Sequence, residues 1–163
     1  MLGIVVLVIA VGATMGAVGS FVKLEESNRE TAVAHFAARG MIEQMQDIPF
    51  EQIFAAYNED AGDDPAGIAA GPSFPVDGLD ARADDADGMP GQILFPTPAG
   101  APGSLREDLV SDDFDLPKDL NVDGAIDAND HADDYQLLPV RIRIEWRGAS
   151  GNRSLEMQTL LRR

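Results

Sequence analysis

The pattern of hydrophobic positions begins with an unbroken apolar stretch, residues 1–22, which contains no charged side chain. A helix rises about 1.5 Å per residue, so this stretch would be roughly 33 Å long, enough to cross the hydrocarbon core of a bilayer. A cleaved signal peptide would have a shorter apolar core preceded by basic residues, and here no basic residue precedes the run. A core helix of a soluble domain seldom runs this long without a charge. We therefore expect a membrane-spanning helix over residues 1–22.

Small residues recur at one spacing within this stretch. Gly12 and Gly16 are four residues apart, with Ala13 and Ala17 beside them. This spacing lets a second helix approach closely in a membrane, although glycine is also common in membrane helices generally. We take Gly12, Ala13, Gly16 and Ala17 as the expected helix-packing residues.

Residues 23–48 continue as an amphipathic segment, which we call the spine. Its apolar positions recur at helical spacing, at Val33, Phe36, Ala37, Met41, Ile42 and Met45. No proline interrupts the chain before residue 49, so one continuous helix of about 45 residues is expected. Pro49 should end it, because the residue before a proline is disfavoured in the α region. Residues 50–57 then predict a short second helix.

The remaining residues, 49–163, predict a loop-rich globular head. Residues 58–91 combine many Asp with Gly, Ala and Pro, which indicates a long solvated loop. Residues 92–95 predict a short strand, and residues 105–110 predict one helical turn.

Residues 138–162 give the clearest strand signal. Val140, Ile142, Ile144 and Trp146 alternate with charged residues, and after a turn at 148–152 the alternation resumes with Leu155, Met157, Thr159 and Leu161. This period-two pattern predicts an antiparallel hairpin with one buried face, and Trp146 is expected in the core. The expected fold is α+β: a long N-terminal helix packed through its spine on a small antiparallel sheet, with long loops.

Charge and composition narrow the possible functions. The 163-residue chain has a formal net charge of −16, which argues against binding nucleic acid because phosphates would be repelled. It contains no Cys, which excludes disulfides, thiolate metal sites and a cysteine nucleophile. We find no acid–base pair, nucleophilic triad or phosphate-binding loop, and therefore expect no catalytic residues and no enzyme.

The strongest local motif is DLNVDGAIDAND, residues 119–130. Oxygen ligands fall at the positions that an EF-hand-type calcium loop uses, and Gly124 lies at the sharp turn. The predicted ligands of a structural Ca²⁺ are Asp119, Asn121, Asp123, the carbonyl of Ala125, Asp127 and Asp130. Ile126 should pack inward, and His131 should be an ordinary exposed histidine. A metal-free acidic turn is the alternative. A terminal Asp in place of Glu makes the loop similar to those of dockerin modules.

The order of these segments resembles the type IV pilin and pseudopilin superfamily. The segment AARGMIEQMQDIPFEQI (37–53) and the closing VRIRIEW and SLEMQTLLR resemble minor pilins and type II secretion pseudopilins. Residues 1–5 look like the part of a mature pilin that follows its N-terminal glutamate. We therefore expect the natural start to lie upstream, with the leader and first mature residues.

The resemblance implies a structural filament subunit. Its N-terminal helix would lie first in the bacterial inner membrane and then in a filament core, packed against other pilin-like subunits, with the head in the periplasm or outside the cell. The first alternative is a signal-anchored extracytoplasmic calcium-binding module that interacts with a partner but forms no filament. The second is an exported enzyme whose site the sequence does not reveal.

Overall fold

The computed structural model describes the backbone of residues 2–68 and 70–163, and the side chains of residues 19–68 and 70–163. Two helices are followed by four strands, and the strands form one antiparallel sheet in the order β1-β2-β3-β4. The elements are α1 (Leu2–Gln46), α2 (Phe50–Tyr57), β1 (Ser73–Phe74), β2 (Gly91–Leu94), β3 (Leu137–Gly148) and β4 (Gly151–Arg162). The expected α+β class, with a long N-terminal helix and a small antiparallel sheet, is confirmed.

Helix α1 is continuous over 45 residues and ends just before Pro49, as predicted. Within the part of the chain that the structure describes, no helix has the length and apolar character that crossing a membrane requires. For most of the predicted membrane segment, residues 2–18, the structure describes the backbone helix but not the packing of the residues. The predicted packing residues Gly12, Ala13, Gly16 and Ala17 lie in this stretch, so that prediction falls outside the described residues.

The spine packs on the sheet through small side chains. Ala34, Ala38 and Met45 are fully buried, and α1 contacts both β3 and β4. The prediction that Phe36 belongs to the buried stripe is wrong, because its side chain is 74% exposed. At 100° per residue Phe36 lies about 200° around the helix from Ala34, on the opposite face. Alanine at the contact lets the helix axis approach a sheet face that is already filled by large residues.

The predicted hairpin is confirmed, with strands of 12 residues each. Val140, Ile142, Ile144 and Trp146 are 0–1% exposed, so Trp146 lies in the core as expected. On β4 the predicted face is half-buried at Leu155 and Met157 and buried at Leu161. The predicted strand at 92–95 is β2, one residue earlier, and it pairs Ile93 with Ile142.

The stretch predicted as a solvated loop contributes to the core. Phe74, Val76 and Leu79 are buried, and residues 73–74 pair with β2 as strand β1. The interpretation of residues 58–91 as a long solvated loop is therefore wrong for residues 73–79. Three large apolar residues were enough to hold parts of this acidic segment against the sheet.

The helical turn predicted at 105–110 is also wrong. Backbone groups there bond across the chain instead of to the next turn: the Leu105 carbonyl accepts from the His131 amide at 2.8 Å, and the Glu107 carbonyl accepts from Lys118 at 3.2 Å. A short 3-10 turn lies further on, at Asp112–Phe114.

Tyr135 fixes the segment before β3 to helix α2. Its hydroxyl donates to the Phe50 carbonyl at 2.6 Å and accepts from the Phe54 amide at 3.3 Å. Its ring lies 5.0 Å from that of Phe50, centroid to centroid. The acidic loop 119–130 therefore leads into a firmly packed segment.

Candidate metal centre

Leu120 is the buried side chain of the acidic loop 119–130 and packs in the core of the head. The Leu120 carbonyl accepts from the amides of Gln136 and Leu137, at 2.8 and 2.9 Å. Its amide donates to a carboxylate oxygen of Glu107 at 2.5 Å. The start of the loop is thus held from both sides, by the segment before β3 and by residue 107.

The first half of the loop turns as the motif predicts. The Asp119 carboxylate accepts from the amides of Asp123 and Gly124, at 3.2 and 2.8 Å. Gly124 has φ +89°, a backbone conformation that residues with a Cβ rarely adopt. Asp123 in turn accepts from the Ala125 amide at 2.8 Å. The structure therefore places Asp119, Asn121 and Asp123 close together, with Asn121 also bonded to the Asp123 amide at 3.2 Å.

The second half departs from a closed calcium cage. Asp127 accepts from the Asn129 amide at 2.7 Å, which is the main reason why its pKa is lowered. Asp130, the predicted last ligand, directs one oxygen at the amides of Leu105 and Ala132, at 2.9 and 3.1 Å. Ile126 is half-exposed, so the prediction that it packs inward is wrong. Asn121 Nδ2 donates both to Asp123 Oδ2 within the loop and to Asp134 Oδ2 outside it, each at 3.3 Å.

Glu107 is a buried carboxylate beneath the loop, 1% exposed. Its Oε1 accepts from the amides of Leu120 and Asn121, at 2.5 and 3.1 Å. Its Oε2 accepts from the Asp127 amide at 3.4 Å. Backbone amides thus compensate much of the desolvation of this carboxylate, which joins residues 120 and 121 of the loop to residue 127.

His131 is buried, 4% exposed, so the prediction of an exposed histidine is wrong. Its Nδ1 lies 3.0 Å from Asp134 Oδ1, and its Nε2 lies 3.3 Å from Asp127 Oδ1 and 3.7 Å from Glu107 Oε2. Burial alone would lower the pKa of His131, but the hydrogen bonds to Asp134 and Asp127 and the charge of Glu107 outweigh it, and the pKa is raised. The other histidine, His35, is exposed on α1.

One ligand atom from each of Glu107, Asp127 and His131 lies within 4.8 Å of the other two. The sequence motif pointed to Asp127 but to neither of the others. Glu107 lies 20 residues before Asp127, at no spacing that is typical of metal ligands. His131 follows the loop directly, and its amide bonds to the Leu105 carbonyl, a contact that the sequence does not reveal. No sequence signal short of the tertiary contacts identifies this group.

In comparisons with known proteins, the chain matches no family model, no curated protein and no solved structure. Its function is therefore argued below from its own residues and geometry.

Proposed function

We propose that this chain is a structural subunit of a pilus or pseudopilus, of the minor-pilin kind. The observation that carries the proposal is helix α1, a single helix of 45 residues that both packs on the head and extends beyond it. Ala34, Ala38 and Met45 pack within the head, whereas Phe21, Val22 and Leu24 are exposed. A helix that leaves its own domain with apolar side chains uncovered requires another apolar environment.

In this proposal, residues 1–22 lie in the bacterial inner membrane before assembly and among the helices of other pilin-like subunits afterwards. The apolar, uncharged sequence of residues 1–22 supports both environments. The small residues Gly12, Ala13, Gly16 and Ala17 are the proposed contacts between helices. The head, with its net negative charge, lies in the periplasm or outside the cell and has no catalytic role.

The first test is the N-terminus of the protein isolated from its native host. Mass spectrometry should find an N-methylated residue encoded a few codons before Met1, as in a processed pilin. A formyl-Met or unmodified Met1 would contradict the proposal and favour a signal-anchored module.

A second test uses the absence of native cysteine. Val22→Cys, on the exposed apolar part of α1 and labelled with a thiol-reactive photo-cross-linker, should form cross-links in host membranes to subunits of the same class. Glu59→Cys, at an exposed position on the head, is the matched control and should give far fewer adducts with them. Equal yields from both variants would argue against packing through α1.

We further propose that a structural Ca²⁺ binds the loop 119–130 and stabilises the head. The support is the ligand spacing, the positive φ of Gly124 and the close approach of Asp119, Asn121 and Asp123. Asp123→Ala should lower the thermal midpoint only when calcium is present. Asp133→Ala, an exposed acidic residue outside the loop, is the control and should behave as wild type. An equal loss with and without calcium would mean that the loop is an ordinary turn.

A further inference from the structure

The side chains of Glu107, Asp127 and His131 converge beneath the acidic loop from two separate parts of the chain. We propose that these three residues bind a first-row transition-metal dication of the Zn²⁺ class. This site is distinct from the proposed calcium loop in its ligand chemistry, since it includes a histidine nitrogen and a buried carboxylate. It does not depend on the proposed filament function.

The orientation of His131 is the first argument. A neutral imidazole has one N–H, and Nδ1 lies 3.0 Å from Asp134 Oδ1, so the proton belongs there. Nε2 then presents a lone pair to Asp127 Oδ1 at 3.3 Å and Glu107 Oε2 at 3.7 Å. A lone pair and two carboxylate oxygens repel one another unless a cation lies among them. That cation is either a proton on Nε2 or a metal ion.

The distances are the second argument. Zn²⁺ binds nitrogen and oxygen ligands at about 2.0–2.2 Å, which places the ligands of a tetrahedral site about 3.4 Å apart. The separations of 3.3 and 3.7 Å from Nε2 are close to that value, and the two carboxylates each supply an oxygen within 4.8 Å of the other. A proton on Nε2 can bond to only one of the two oxygens well. A metal ion can bind all three atoms and leave a fourth position for water.

The surroundings resemble those of a metal-binding histidine. A ligating histidine usually donates its other N–H to a carboxylate or carbonyl, which fixes the ring, and Asp134 does this for His131. Glu107 is fixed in the same way by the amides of Leu120 and Asn121. The two buried ligands are therefore held in place before any ion binds.

The ligand set also selects the ion. Imidazole suits zinc and its neighbours, whereas Ca²⁺ prefers ligands made only of oxygen. Asp127 belongs to both proposed sites, at position nine of the loop, where EF-hand ligands often act through a water. The other predicted calcium ligands are Asp119, Asn121, Asp123, the Ala125 carbonyl and Asp130, and none of them belongs to this group of three.

The experiment is a titration of the metal-free full chain in detergent with Zn²⁺, by calorimetry, and with Co²⁺, by visible absorption. One equivalent should bind, with a d–d band typical of a tetrahedral site. His131→Gln should weaken this binding by at least about 100-fold and remove the band, and Asp134→Asn should weaken it by about 10–100-fold. His35→Gln changes the other histidine and should leave binding unchanged.

Two outcomes would overturn the proposal. If His131→Gln binds Zn²⁺ as tightly as wild type does, the ion is held by surface carboxylates. If wild type shows no stoichiometric binding while circular dichroism shows it folded, a proton on His131 fills the site instead. Asp123→Ala should leave Zn²⁺ binding unchanged, so a failure of the calcium proposal remains distinguishable.

Discussion

Glu30 connects the long helix to the tip of the hairpin, and its removal gives a measurable prediction. The carboxylate is buried, and its Oε2 accepts from Trp146 Nε1 at 3.2 Å. Its Oε1 accepts from the Ala149 amide at 3.1 Å. We expect Glu30→Ala to lower the free energy of unfolding by about 2 kcal/mol.

The magnitude follows from what each donor can do afterwards. A buried donor left without an acceptor costs about 1–3 kcal/mol, and Trp146, 1% exposed, cannot reach water. Ala149 is exposed at the turn, so its amide can bond to solvent and adds little. Two effects of the substitution are stabilising, the removal of a partly desolvated carboxylate and the introduction of alanine into a helix. Each raises the free energy of unfolding by about a few tenths of a kcal/mol. Glu30→Gln keeps one acceptor and should lose about half as much.

The assay is urea unfolding followed by the fluorescence of Trp146, the sole tryptophan of the chain. With a denaturant slope of about 2 kcal/mol/M, the midpoint of Glu30→Ala should fall by about 1 M. Glu26→Ala removes the same charge one turn earlier, from an exposed position, and is the matched control. If the two variants unfold within about 0.5 kcal/mol of each other, the contact does not stabilise the head and the reasoning is wrong.

Two further predictions test the packing of the sheet and of α2. A Cβ at Gly91 would lie 2.4 Å from the buried Phe74 ring, so Gly91→Ala should destabilise the folded state by about 1–3 kcal/mol. A Cβ at Gly40, on α1, would meet open space, so Gly40→Ala should stabilise the folded state by about 0.5–1 kcal/mol. Thermal unfolding of both variants would measure these changes. Burial raises the pKa of Tyr135 to about 12, so the folded state keeps a proton that the unfolded state loses near pH 10. The free energy of unfolding should therefore decline as the pH rises between these values, and Tyr135→Phe should reduce that slope; an unchanged slope would contradict the assignment.

The hairpin and the helices could be predicted because their signals are local. Alternation from Val140 to Trp146 can place one face in a core only as a strand, and Pro49 has to end a helix wherever the rest of the chain lies. The face of the helix that packs was harder to predict. The helical spacing of apolar residues suggested Phe36. The close approach of helix and sheet instead requires the small side chains of Ala34 and Ala38, which composition does not distinguish from solvent-facing alanines.

The candidate metal centre shows the same limit. The loop 119–130 was recognisable because its predicted ligands follow one another at fixed spacing. Glu107 and His131 come close together in a part of the fold where Leu105 bonds to residues 130 and 131. The contact between residue 105 and residues 130–131 depends on packing between distant parts of the chain. No local pattern in a single sequence predicts a contact of this kind.

The order of strands in the sheet has a consequence for aggregation. Among the described strands, β4 has a neighbour on one side only, which leaves 12 residues of backbone along an outer edge. Such an edge can pair with a strand of another molecule unless something prevents it. Charged side chains at Arg153, Glu156 and Arg162 lie along β4, and charges of this kind discourage edge-to-edge pairing. Replacing these three with Thr should make the chain aggregate, which light scattering would detect; a variant that stays dispersed would show that other features protect the edge.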